Sequence, residues 1–350
     1  MGPYGNFGRP IALLEAYKEW RDDRLALGEA DSKADFPEFL YGFVRTSLWH
    51  GYEKIAPQYR KYAAVESLPD FRERRLRGVN TLRGMGYVGD HGEYVQARRT
   101  ERLPAVLAVD TYGTTYAITR QAIMNDDSGY LLSSVPGDLG YEAGRFVSEA
   151  IVALIESNPI APDGVQFFHA SRGNTVVTPL SEDALADAIT WMEGQSDDDG
   201  RQILIRAHAL LVENARQEMI ARRIVNSSVT GIAVNWTGAA GVGSAVMDKG
   251  TMNPLNGILP GDAIVREPFL SDANNWYLVA DPTKVPGFAV GFLNGNEQPF
   301  VGLKDPSVRN ALGAGMDPYT FELDSVDFKC RHDFGVACVD PRAAFVSIVP

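Results

Sequence analysis

The apolar positions along this chain change period from segment to segment, and the periods predict a mixed α+β protein. After Asp138, the residues Leu139, Ala143, Phe146, Val147, Ala150, Ile151, Leu154 and Ile155 recur at three- and four-residue intervals, which draws one broad apolar helix face. Asp138 is the expected N-cap and Pro159 the expected stop, giving a helix of about five turns. Ahead of it, residues 111–119 are rich in Tyr, Thr and Ile and read as a strand, while Asn125 to Gly129 and Pro136-Gly137 read as turns. Residues 93–119 together read as a long β-hairpin with its tip at 98–104, a stretch too polar for a core. Such a hairpin must be supported by something outside itself.

Upstream, residues 1–10 are a Gly/Pro-rich start. Helices are expected at 11–27 (Leu13, Leu14, Tyr17, Trp20) and 38–55 (Phe39, Leu40, Phe43, Leu48, Trp49). Aromatic-rich short helices dock on a core or on a neighbouring chain. Downstream, 166–169 reads as a short apolar strand. Ser181 opens a helix with acidic Glu182 and Asp183 in its first turn, 202–212 is a buried strand by composition, and 214–227 is a helix. A glycine-rich loop at 237–250 precedes strands at 264–269, 276–281 and 288–293. Residues 320–329 alternate apolar and polar, and 335–349 are β-prone.

Composition narrows the function. With 350 residues, 45% of them hydrophobic, the chain can bury two cores or one elaborated core. The net charge of −12 argues against a general nucleic-acid binder. One basic concentration stands out: Arg60, Lys61, Arg72, Arg74, Arg75, Arg77 and Arg83. Aromatics do not interleave with these residues as in single-strand binders, so they are expected to pair with the acidic excess within or between subunits. Two cysteines, Cys330 and Cys338, make neither a disulfide framework nor a zinc site. No apolar run approaches the roughly 18 residues of a membrane span, so no membrane partner is expected. The N-terminus lacks a basic start followed by an apolar core, and Asn6 breaks the myristoylation pattern.

Candidate chemistry is sparse. Gly238-Ala239-Ala240-Gly241-Val242-Gly243 resembles a nucleotide loop, but Asp248, Gly250 and Pro254 cut short any helix that should follow. Asp333-Phe334-Gly335 matches a kinase tripeptide without the rest of the kinase set. His50, His91, His169, His208 and His332 are scattered, none at metal spacing. Asp197, Asp198 and Asp199 cluster without the alternating ligands of a calcium loop. The sequons at Asn226 and Asn235 matter only in a secreted protein. No catalytic, cofactor-binding or metal residue is assigned, and no cofactor is expected.

Residues 111–127 (TYGTTYAITRQAIMNDD) resemble a stretch of the Mu-type phage major head proteins, within the wider family that has the capsid fold of phage HK-97. Further similarities follow in the same order: Asp163-Gly164 to Phe168-His169-Ala170 with Gly173-Asn174, then Ile205 to Val212, then Trp276 to Asp281, then Arg331 to Gly335 with Asp340-Pro341-Arg342. The resemblance spans about 36–348. It implies an HK-97-like α+β fold: an N-terminal arm (1–84), an extended hairpin loop over a neighbouring subunit (85–120), a peripheral domain with the long spine helix (121–180 and 305–350) and an axial domain (181–304). It also implies a major capsid protein that self-assembles into the icosahedral head of a tailed bacteriophage. The partners implied are copies of itself in hexamers and pentamers, with scaffolding, portal and decoration proteins, around double-stranded DNA held without sequence-specific contact. The place implied is the virion, assembled in the host cytoplasm. Shell contacts are obligate interfaces, often on the order of 2,000 Å² or more, and an acidic balance suits a wall to which DNA should not stick. Some relatives cross-link through a lysine on the loop; 93–119 contains none, so no isopeptide bond is expected. Two other classes remain open: an encapsulin-like shell around enzyme cargo, which shares the fold, and a soluble nucleotide-dependent enzyme using the Gly238 loop.

Overall fold

The computed structural model describes residues 35–349 apart from 56–57, 198–199, most of 120–129, 228–250 and 305–324, and many positions within 77–103. The start at 1–10, the helix expected at 11–27 and the loop 238–243 lie outside the described residues. The described chain divides into two compact units. One holds the residues up to Pro57 with Val109–Val147 and Phe292–Phe334, and the other holds Gln58–Ala108, Ser148–Gly291 and Gly335–Pro350.

The first unit is built on two helices and a sheet. Helix α1 spans Asp35–Lys54 and helix α2 spans Tyr130–Ser157, whose last part belongs to the second unit. The strand Asp110–Thr119 runs antiparallel to Ser325–Cys338, Thr119 opposite Ser325 and Asp110 opposite Phe334. Phe300–Leu303 also pairs antiparallel with Ser325–Cys338, Phe300 opposite Arg331. Two-residue alternation sorts the long strand. Phe328, Cys330, His332 and Phe334 are buried, whereas Lys329, Arg331 and Asp333 are not. The outward residues pair with each other and their neighbours: Arg331 with Asp333 at 3.2 Å, and Thr111 Oγ1 donating to Asp333 at 2.7 Å. The inward residues join an aromatic cluster, with the Phe334 ring 4.8 Å from Tyr112 and 5.8 Å from Phe146, centre to centre.

Glycines let α1 and α2 approach backbone to backbone. A methyl group placed on Gly51 would stand 2.9 Å from the Gly137 Cα and closer still to its carbonyl oxygen; one on Gly140 would stand 2.9 Å from the Leu48 carbonyl carbon. Gly144 continues the same face against the Tyr52 ring. The spacing 137, 140, 144 is one helix face.

The second unit is centred on a five-stranded mixed sheet in the order Ile264–Arg266, Ala207–Val212, Trp276–Ala280, Ala344–Ser347, Thr175–Val176. The outer pairings are parallel and the inner two antiparallel. All five positions of Trp276–Ala280 are buried, as expected of a strand covered on both faces. Helices α3 (Glu182–Glu193) and α4 (Ala215–Asn226) supply Leu185, Ile189, Met192, Ala221 and Val225 to the core that holds Leu210, Trp276, Leu278 and Phe345. Their caps are those the residue types predict. Ser181 accepts from Ala184 N, and Asn214 accepts from Gln217 N.

Three expectations are corrected. The long helix begins at Tyr130, not after Asp138, and carries Pro136 inside it. Proline and glycine chemistry points to a break there, but the seat that Gly137 and Gly140 make against α1 outweighs local propensity. The hairpin is displaced. Arg74–Leu76 pairs with Ala105–Leu107 and Leu82–Arg83 with Arg98–Arg99, so Arg98 and Arg99 stand in a hairpin arm rather than at a tip. Asp110–Thr119 belongs to the other ladder. Finally, 166–169 is not a strand. Phe167 and Phe168 are buried, but Phe167 N donates to Pro159 O and Phe168 N to the Asn158 side chain, so side-chain and turn partners replace a ladder.

Candidate assembly surfaces

The hairpin is rooted in the second unit. Leu68 and Leu107 close on the bare Cα of Gly291, where a side chain would meet Leu68 Cδ1 at 2.6 Å and Leu107 Cδ2 at 2.8 Å. Arg74 is fixed at the root, its Nη1 donating to Ser67 O at 2.7 Å and lying 3.5 Å from Glu66. Arg72 and Arg75 are exposed, Arg72 only 3.9 Å from Asp70, contacts of little energetic weight. Lys61 lies 3.7 Å from Asp262. Further out, Tyr87 and Tyr94 are the most exposed large apolar side chains among the described residues, at 97% and 89%.

In the first unit, nine of the ten positions of Asp110–Thr119 are exposed, and Ile118 is the buried exception. Ser325–Cys338 occupies one edge of Asp110–Thr119; among the described residues no strand pairs with the other. The edge carries neither Lys nor Pro, the residues that normally blunt such an edge. Beside it, Tyr112, Leu139, Ala143, Phe146, Cys330 and His332 are among the residues lining a mainly apolar cavity of about 290 Å³. His332 is buried, and its Nε2 lies 3.1 Å from Glu297 O. Its Nδ1 makes no hydrogen bond of good geometry, although the Ala143 carbonyl is near enough to favour a proton there. Burial outweighs both carbonyls and Asp333, holding the imidazole pKa below its ordinary value and the ring neutral.

Polar residues from distant parts of the second unit meet in two buried nodes. Asn174 accepts from His169 N at 2.9 Å and donates to Phe167 O at 2.9 Å and Pro341 O at 3.3 Å. Asp340 caps the turn Pro341–Ala343 and binds Arg342 through two charged contacts, Nε at 3.0 Å and Nη2 at 2.6 Å. At the other node, the Tyr62 hydroxyl donates to Glu267 Oε2 at 3.2 Å. Burial pushes the Glu267 carboxyl up to about 7, against a smaller lowering by the Tyr62 hydrogen bond. The Tyr62 pKa is raised, by burial first and by Glu267 second. Because the folded carboxyl holds its proton more tightly than the unfolded one, its stabilising share is complete below the ordinary value of 4.5 and is lost as pH rises through about 7. Glu267→Gln, neutral at every pH, should match the parent near pH 5 and exceed it by about 2 kcal/mol at pH 8, read from urea midpoints. Equal midpoints at pH 8 would contradict this.

Residues raised as candidate chemistry are kept apart or engaged in structure. Among the described residues no group of three or more His, Cys, Asp or Glu could hold a metal ion. His50 is exposed, His169 caps the turn Ala170–Arg172, and Asp197 accepts from Arg201 N within its own turn. Asp198, Asp199, His91 and the Gly238 loop lie outside the described residues. Cys330 and Cys338 are free, and burial pushes their thiols up to about 11 and about 12, which leaves them poor nucleophiles. No described helix is long and apolar enough to cross a membrane.

The family model described as phage capsid protein matches residues 103–347, more than two thirds of the chain. The chain belongs to the phage capsid protein family. It is a capsid shell protein of the virion, and for a shell subunit the functional sites are the surfaces that meet other copies. Solved structures give weaker likenesses. A chain of Microbacterium phage Oxtober96 is 12% identical, with 83% of this chain and 90% of that one covered and a TM-score of 0.45. The procapsid of bacteriophage JBD30 computed in I4 symmetry gives 12%, 91% and 77%, and 0.44. The virus-like particle from Pyrococcus furiosus gives 11%, 87% and 97%, and 0.43. No curated protein matches the chain. Sequence reasoning missed the glycine seat, the cavity and the Tyr62–Glu267 node of this capsid subunit. The 137, 140, 144 spacing signals the first; nothing local signals the other two.

Proposed function

We propose that this capsid protein is the major head subunit of a tailed phage of the Mu type, with the HK-97-like fold, tiling as hexamers and pentamers around double-stranded DNA. The family match over 103–347 carries this reading. The exposed tyrosines of the hairpin and the strand edge that is open among the described residues support it, because both are the kind of surface that a neighbouring chain covers. The residues before the hairpin form the arm, 74–107 the extended loop, α2 with the C-terminal strands the peripheral domain, and 181–304 the axial domain. Like 93–119, the 74–107 hairpin contains no lysine, so neighbours hold each other without an isopeptide bond. The subunit has no catalytic, cofactor or metal residue. It assembles in the host cytoplasm with scaffolding, portal and decoration proteins, and it meets packaged DNA without reading its sequence. Electron microscopy of the expressed protein should show hollow particles or capsomers. A monomer that never assembles, even with its partner proteins, overturns the reading, and particles filled with co-purifying enzyme in place of DNA turn it to the cargo compartment.

A further inference from the structure

We infer that the helix expected from the sequence at 11–27 folds back antiparallel to α1 of its own chain and lays Leu13, Leu14 and Tyr17 into a groove between α1 and the strand Phe300–Leu303. The inference concerns the single subunit and goes beyond the shell reading, so whether particles form does not decide it.

Three independent observations meet here. The first is the groove. It is a cavity of about 350 Å³ whose lining includes Arg45, Leu48, Trp49 and Tyr52 of α1 together with Pro299 and Phe300. Trp49 is 40% exposed and Phe300 47%, although the Arg331 guanidinium stands 5.1 Å from the centre of the Phe300 ring. Two large rings left this open in one cavity make a slot of the kind that takes one face of an amphipathic helix. The second observation is an occupant of matching chemistry in the same chain. In the residues ahead of Asp35, Leu13, Leu14, Tyr17 and Trp20 share one helix face, and Glu15, Glu19 and Asp22 lie on the other. A lone helix of this length is marginal in water, so its apolar face needs a cover.

The third observation is the spacing. Residues 28–34 separate the two helices, a length usual for the turn between antiparallel neighbours, and Gly28 suits a helix C-terminus. Fully extended, that turn spans at most about 25 Å, ample to cross the roughly 8–10 Å between packed helix axes. Trp49 lies as many positions after Asp35 as Leu13 lies before Leu27, so each stands about 21 Å from the turn at about 1.5 Å per residue. Doubling back at 28–34 therefore brings Leu13 and Leu14 level with Trp49 and Leu48. It also brings Tyr17 level with Arg45, an exposed cation on which a phenol ring can stack.

Photo-cross-linking tests this on the full chain. Benzoylphenylalanine replaces Trp49 in one sample and Phe300 in another, and the irradiated protein is separated on denaturing gels and mapped by mass spectrometry. At least one position should link to 11–20 in a product with the mass of one chain. Links from both positions only to other segments, links to 11–20 only in products of two chains, or no links at all overturn the inference. Limited trypsin digestion gives a second reading that leaves the groove untouched. Lys18, Arg21 and Arg24 should be cut roughly tenfold or more slowly in the parent than in the Leu13→Asp/Tyr17→Asp variant, because cleavage follows the population of the undocked segment. Equal rates in the two proteins overturn the inference as well.

Discussion

Asp340→Ala should lower the stability of the unassembled subunit by about 3–5 kcal/mol, the cost of removing one partner from a buried ion pair. The Asp340 carboxylate is 1% exposed and takes three contacts from Arg342: its backbone N at 3.1 Å, Nε at 3.0 Å and Nη2 at 2.6 Å, the last also an ion pair. Without it the guanidinium stays buried with carbonyl oxygens such as Ser196 O, at 3.3 Å, as partners, which orient a cation but do not neutralise it. The same change removes the cap of Pro341–Ala343, the turn whose Pro341 carbonyl Asn174 reaches from the far side of the sequence. Adding Arg342→Met to Asp340→Ala should recover much of the loss, because the penalty comes from the stranded charge rather than from the missing bond. Urea unfolding of the three variants checks both statements. A loss below about 1 kcal/mol for Asp340→Ala, or no recovery in the double variant, would show that the node is solvated in solution.

What could be read from the sequence follows the range of the forces involved. Ser181 and Asn214 were legible because a cap is a contact between residues three apart, and the side chain that makes it is chosen for that purpose. Trp276–Ala280 and Phe288–Leu293 were legible because burial writes itself into composition. The hairpin was misplaced because 93–119 contains two strand-like stretches, Ala105–Leu107 and Asp110–Thr119, that look continuous. Their partners are Arg74–Leu76 in one case and Ser325–Phe334, some two hundred residues on, in the other, and no local rule chooses between them. The start of α2 was misplaced for the opposite reason. Pro136-Gly137 carries a strong local signal, and a contact with α1 overrules it. Phe167-Phe168 shows a third limit: two buried rings report burial, not the backbone that achieves it. Of the assembly surfaces, the polarity and lack of self-support of the hairpin were visible. The cavity at Tyr112, Phe146 and His332 was not, since it exists only once strand and helix have met.

That helix seat carries the second large effect. Gly140→Leu should destabilise the subunit by about 3 kcal/mol or more, at or beyond the upper end for overpacking. In most cores an added side chain finds relief through rotamer changes in its neighbours. Here the first atoms met are backbone, the Leu48 carbonyl and the Tyr52 nitrogen, the latter 3.0 Å from where the Cβ must go. Backbone cannot rotate away, so α1 must lift off α2 as a body. Leu48, buried on α1, loses its cover when it does, and the lost burial adds to the steric term. Gly144→Ala is the internal comparison. Its methyl would meet the Tyr52 ring at 3.4 Å, an ordinary contact, and Gly→Ala inside a helix gains about 0.5–1 kcal/mol from backbone entropy. One glycine of the face should therefore be intolerant and its neighbour one turn away neutral or better. Thermal unfolding of the two variants measures the contrast, and proteolysis within 35–54 reports whether α1 has come free. Equal behaviour of the two would mean that the helices do not meet through this face in solution, and that the break suggested by Pro136-Gly137 is real.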